Sequence, residues 1–173
     1  MVCNLVIGYG NLERQDDGVG FHVVNRLRRH LAQKPLCRND DGLSRLGRRT
    51  DAVFIRQLVP ELSETAARYE RLIFVDAHVP ADMPHLACTR LYPEDGMALF
   101  SHHMHPAQLL GILKALWDQE PISHLLSIQG CRFGLGRRLS ATTRELVAPA
   151  TALILELLET FSDPLPPAAG RKS

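Results

Sequence analysis

The junction between residues 2 and 20 limits the fold more than any other stretch: a short apolar run, Val2 to Ile7, passes straight into GYGNLERQDDGVG, and helical periodicity follows. A β-branched apolar run that ends at a glycine suits a strand buried on both faces of a parallel sheet. From Gly18 onward Val19, His22, Val23, Arg26, Leu27, His30 and Leu31 recur at three- and four-residue spacing, which predicts an amphipathic helix ending before Pro35. The first unit is therefore strand, acidic loop, helix, with Asp16 and Asp17 expected to cap the helix start.

The alternation continues. Ala52 to Gln57 predicts a second strand, Pro60 to Tyr69 a helix with Pro60 in its first turn, and Leu72 to Asp76 a third strand. Leu86 to Leu91 is the candidate fourth strand, Pro106 to Trp117 a helix opening with proline, and Leu125 to Ile128 the fifth strand. A last helix is expected from about Ala141 to Phe161. Residues 36–50, rich in Asp, Gly, Ser and Arg, read as a surface loop or variable insertion. Strands alternating with helices predict an α/β fold: a doubly wound, mostly parallel five-stranded sheet with helices on both faces, three layers in all. A single domain is expected over residues 1–162, with 163–173, rich in Pro and small residues, as a disordered tail.

Composition removes several function classes. Twenty basic and nineteen acidic side chains give a formal net charge of +1 with no long like-charge block, so nucleic acid is not the expected partner. Cys3, Cys37, Cys88 and Cys131 are scattered, without the spacing of a zinc ribbon or a disulfide scaffold, and read as thiols of a reducing compartment. No run approaches the roughly 18 apolar residues that would span a bilayer. The expectation is a cytoplasmic protein with no membrane association, monomeric because no segment reads as a coiled coil or a spare apolar interface.

Gly8 and Gly10 supply the first two glycines of a dinucleotide fingerprint, but Glu13 stands at the third. A pyrophosphate at that helix N-terminus would meet Glu13, Asp16 and Asp17, so a nucleotide-binding enzyme is the weaker reading and a cation the better occupant. In open α/β sheets ligands gather beyond the carboxyl ends of the strands. Asp17 lies just past the first strand, Asp76 closes LIFVD, and SHHMHP follows the fourth strand. Either member of the Asp16–Asp17 pair alone has a structural explanation as a cap. Neighbouring helical residues point in different directions, so one can cap while the other faces the cleft. Asp76 ends an apolar strand and would pay heavily for desolvation unless paired, hydrogen-bonded or metal-bound. Among His102, His103 and His105 at least one is expected to be a ligand, whereas His22, His30, His85 and His124 read as ordinary strand-flanking or helix residues. Two carboxylates and an imidazole suit nickel, zinc or manganese. No H-E-x-x-H, G-x-S-x-G or P-loop offers another chemistry.

On these residues the chain resembles the nickel-iron hydrogenase maturation endopeptidases. GYGNLERQDDGVG is similar to the family's opening G-x-G-N motif and acid pair, RQLVPEL to the second-strand segment of one branch, LIFVDA to its central strand, SHHMHPAQLL to its histidine loop, and IQGCRFGLGRRLS to its late strand and glycine loop. The resemblance implies an endopeptidase that removes the C-terminal extension of the hydrogenase large-subunit precursor after nickel insertion. It places the catalytic, metal-contacting set on Asp17, Asp76 and His102, with His103 or His105 reachable by a small shift. Nickel would be supplied by the precursor, with Asp16 or Asp17 as a possible base. Other members carry Asp-Gly-Gly after the second strand where this chain has Gln57 and Leu58. The competing expectation is a nickel-binding assembly chaperone without peptidase activity.

Overall fold

The computed structural model describes residues 3–94 and 104–160. Its five strands, β1 (Asn4–Tyr9), β2 (Thr50–Ile55), β3 (Arg71–His78), β4 (Leu86–Leu91) and β5 (Ile122–Gln129), form one sheet in the order β2-β1-β3-β5-β4. Every pairing is parallel except β4 with β5, which is antiparallel. The helices are α1 (Val19–His30), α2 (Leu62–Ala66), α3 (Pro106–Trp117) and α4 (Ala141–Thr160).

Strand alternation sorts the core into two layers. Val6, Ala52, Phe54, Ile73, Val75, Leu126 and Ile128 face Val19, Val23, Val24 and Leu27 of α1 and Ala150 and Ile154 of α4. Leu5, Ile7, Val53, Leu72 and Phe74 face Leu62 and Ala66 of α2 and Leu109, Leu110 and Leu113 of α3. Consecutive residues such as Leu72, Ile73, Phe74 and Val75 are thus apolar because both faces are covered. The three-layer expectation is met.

Element ends moved for identifiable reasons. β5 extends three residues earlier and one later than the apolar run predicts, because β3 pairs with it from Arg71↔Ile122 to His78↔Gln129 and supplies backbone partners to polar residues too. The second helix shrinks from Pro60–Tyr69 to Leu62–Ala66. At its ends the bonds tighten to three-residue spacing, Ser63 N–H to Pro60 O at 3.0 Å and Tyr69 N–H to Ala66 O at 3.1 Å. Residues 36–50 contain a 3-10 turn at Leu43–Arg45 and are tied down: Asn25 exchanges hydrogen bonds with the Leu36 backbone at 3.2 and 2.6 Å, and Phe54 N–H donates to Asp41 O at 3.0 Å.

Among the described residues, no helix is long and apolar enough to cross a membrane. The chain runs β1 to β2 on one side and then returns to β3 on the other. The order therefore reverses between β1 and β3, and their carboxyl ends open the crevice where such sheets bind ligands.

Candidate active site at the strand carboxyl ends

At that crevice Tyr9, Gly10, Asn11, Arg14, Asp17, Arg56, Gln57, Leu58, Asp76, Met104 and His105 line an open cleft of about 490 Å³. The loop from β1 turns at Gly10, whose φ of +142° disfavours any side chain, and a Cβ there would collide with the Asp17 backbone carbonyl. The same turn lets the Asn11 N–H donate to Asp17 Oδ2 at 2.7 Å, which fixes the carboxylate at the cleft wall. Gly10→Ala is expected to cost about 1–3 kcal/mol in chemical denaturation and to displace Asp17. A denaturation midpoint equal to that of the parent would contradict the collision.

The two neighbouring aspartates have separate jobs. Asp16 is fully buried and turns away from the cleft. Its Oδ2 accepts from Cys131 N–H and Arg132 N–H at 2.8 Å each and from Ser140 Oγ at 2.7 Å, and its Oδ1 accepts from Ser140 N–H at 2.7 Å. Burial alone would raise its pKa, yet the bonds from Ser140, Cys131 and Arg132 together hold it below the usual carboxylate value. Neither aspartate caps α1, whose N-cap Gly18 receives no side-chain bond. That corrects the capping expectation. It also removes Asp16 as a base, because its lone pairs are committed to the 131–140 loop. Glu13 is likewise engaged, with Arg137 Nε at 2.8 Å and Arg38 at 3.5 Å, leaving Asp17 as the acid of this loop that lines the cleft.

Asp76 sits near the end of β3, opposite Ser127 of β5. Its Oδ1 accepts from Ala77 N–H at 2.8 Å and its carboxylate accepts from the Tyr9 hydroxyl. Burial dominates and, with the charge of Asp17, outweighs the Tyr9 and Ala77 bonds and the His105 imidazole, so the pKa rises from 3.8 to about 6. The same burial, with the Asp76 charge next, pushes the Tyr9 phenol far above its ordinary value, so it stays a donor. Asp17 and Asp76 therefore sense each other across one cleft, as the strand-end rule anticipates.

Of the loop histidines, His102 and His103 lie outside the described residues. His105 is exposed at the cleft as the residue preceding α3, its backbone N–H donating to Gln108 Oε1 at 2.9 Å. Among the described residues no group of three His, Cys, Asp or Glu side chains is assembled to hold a metal ion. Asp17, Asp76 and His105 share the cleft without forming a closed ligand set. Two carboxylates and an imidazole open to solvent are oxygen and nitrogen donors of the kind that divalent cations take.

Three lining residues escaped the sequence reading. Tyr9 and Arg14 fall inside the GYGNLERQDDGVG motif and Arg56 inside the expected second strand, and none of the three stands out there as a site residue. Their positions depend on β2 lying beside β1, which local patterns do not encode.

The chain matches no protein-family profile and no curated protein by sequence. Its structure is similar to that of the hydrogenase maturating endopeptidase HybD from E. coli, with a TM-score of 0.69 at 20% identity over 92% of this chain and 94% of that one. The fold is that of the hydrogenase maturation proteases. It is also similar to the [NiFe] hydrogenase maturation protease HycI from Thermococcus kodakarensis, with a TM-score of 0.62 at 20% identity over 91% and 93% of the two chains. The hydrogenase 2 maturation peptidase from a Thaumarchaeota archaeon gives 0.56 at 20% identity over 90% and 97%. Hydrogenase maturation protease folds thus match this chain over nearly its whole length.

Proposed function

We propose that this protein is an endopeptidase of the aspartate- and metal-dependent type, which removes the C-terminal extension of a nickel-iron hydrogenase large-subunit precursor once nickel has been inserted. The observation that carries the reading is the meeting of Asp17 and Asp76, from separate strand ends, in one open cleft that His105 also lines. The names of the structural neighbours support it.

Nickel enters as part of the substrate. Asp17, Asp76 and an imidazole from the 102–105 loop complete the coordination of nickel already held by the precursor, so a precursor without metal offers little to grip. A cation beside the scissile peptide polarises its carbonyl or lowers the pKa of a bound water. Asp17 remains as the carboxylate placed to take a proton, with Asp16 committed elsewhere. Tyr9 keeps the Asp76 carboxylate pointed at the cleft. The four cysteines, scattered and in no disulfide, support a cytoplasmic location, and the protein acts as a monomer.

Purified protein incubated with nickel-loaded precursor should release a discrete C-terminal peptide, read as a loss of precursor mass, and should leave nickel-free precursor whole. Nickel-dependent binding with unchanged mass would assign the assembly-chaperone role instead. Absence of both would overturn the reading.

A further inference from the structure

The cleft is not purely acidic. Arg14 and Arg56 line it together with Asp17 and Asp76. Arg14 is tethered, its Nε donating to Phe133 O at 3.1 Å. Arg56 differs. It is exposed, directly follows β2, and among the described residues no hydrogen bond or ion pair holds its guanidinium. It acts on Glu13 only through the field, and Glu13 already has Arg137 and Arg38 as partners. Arg56 also borders a second groove, of about 370 Å³, shared with Leu12, Arg38 and Phe54, so it stands where the two depressions meet.

Sheet order sets the distance. In the sequence β2-β1-β3, Ile55 pairs with Tyr9 and Gly8 pairs with Val75, so Arg56 and Asp76 lie at nearly the same height, two strands apart. Two inter-strand spacings come to about 10 Å. An extended peptide advances about 3.3 Å per residue, so a chain laid across the strand ends covers that gap in about three residues.

We infer that Arg56 is a specificity-determining residue, which reads a substrate carboxylate about three residues from the bond presented to Asp17 and Asp76. The inference rests on the peptidase reading, which makes the occupant a peptide. The anionic group a peptide carries is a carboxylate, on an Asp or Glu side chain or at the chain terminus. A guanidinium fork pairs with that planar group in a bidentate fashion, which a lysine would not reproduce. The second groove carries both signs of charge, with Asp40 and Asp41 beside Arg38, and Arg38 is already paired with Glu13, so the carboxylate contact is assigned to Arg56 alone.

The test uses a fluorescein-labelled peptide spanning the cleavage region and C-terminus of the precursor, alongside cleavage of the nickel-loaded precursor itself. Arg56→Gln should raise KM and the peptide Kd by about tenfold, and Arg56→Glu by about a hundredfold, with kcat little changed. Replacing the peptide's acidic residues by Lys should weaken binding to the parent and restore it to Arg56→Glu if a side chain is read. Amidating the C-terminus should do the weakening if the terminal carboxylate is read. Because Arg56 is exposed, unchanged circular dichroism and melting will show that the variants fold. Equal Kd values for parent and Arg56→Glu would overturn the inference even if the precursor is cut. An Arg56-dependent Kd with no cleavage would uphold the anionic subsite and overturn the peptidase reading.

Discussion

Asp76→Asn is expected to lose precursor processing by more than a hundredfold while making the free protein more resistant to heat. The loss follows from the proposed contact with the precursor's nickel, because an amide supplies neither the charge nor the basic oxygen that a cation needs. Metal polarisation contributes several kcal/mol to the transition state, and each ~1.4 kcal/mol is a tenfold change in rate. The gain in stability comes from the same carboxylate. The folded state holds the Asp76 proton up to about pH 6, whereas an unperturbed Asp releases it near 3.8. Asp76 therefore supports folding below about pH 3.8, and that support is lost as pH rises through about 6. Above this the ionised group costs about 3 kcal/mol, the size of a two-unit shift. Asparagine has no charge to desolvate and can still accept from the Tyr9 hydroxyl. Scanning calorimetry should find the variant's Tm raised by roughly 5 °C at pH 7.5, with the difference vanishing near pH 4. In the parent, kcat/KM should fall as pH drops through about 6, where a proton competes with the cation for the same oxygens. A variant that is less stable at pH 7.5, or still processes precursor at the parent rate, would remove Asp76 from the centre of the mechanism.

Those opposing effects also show what could be read in advance. Asp76 was legible because LIFVD puts a carboxylate at the end of a run whose other members are all buried, a placement costly enough to need a reason. Asp17 was legible only as half of a pair. Which aspartate faces the cleft is decided by the loop after β5, whose N–H groups capture Asp16 from 115 to 124 positions away. The alternation of strands and helices was visible because each buried strand is an uninterrupted apolar run. The ends of β5 were not, since Ile122, Ser123, His124 and Gln129 join the sheet because β3, and for Ser123 and His124 also β4, offers partners. Arg56 was invisible for a related reason: its nearness to Asp76 is a property of strand order, and strand order is not local.

The largest expected loss of stability belongs to the aspartate that the cleft does not use. Asp16→Ala leaves the N–H groups of Cys131, Arg132 and Ser140 and the Ser140 hydroxyl without the shared acceptor that the fully buried Asp16 carboxylate supplies. Each unsatisfied buried donor costs about 1–3 kcal/mol, and with partial relaxation the sum should reach about 3–5 kcal/mol. Asp16→Asn recovers only part of this, because its NH2 must face one of those donors. Asp17→Asn, whose amide oxygen can still accept from the Asn11 N–H, should stay within about 1 kcal/mol of the parent. The pH dependence runs opposite to that of Asp76. The folded-state pKa of Asp16 is depressed, so its contribution is present above the unfolded value near 3.8 and is lost as pH falls through the lower folded value. Urea denaturation of Asp16→Ala should therefore show the full deficit at pH 7 and a shrinking one toward pH 3. The damage should reach the cleft as well. Arg14 Nε reaches Phe133 O, Gln15 N–H reaches Gly136 O, and Asp16 N–H reaches Arg132 O, so releasing the 131–140 loop loosens the backbone that carries Asp17. A deficit below about 1 kcal/mol would mean that the loop finds other acceptors and that Asp17 is held by the Gly10 turn alone.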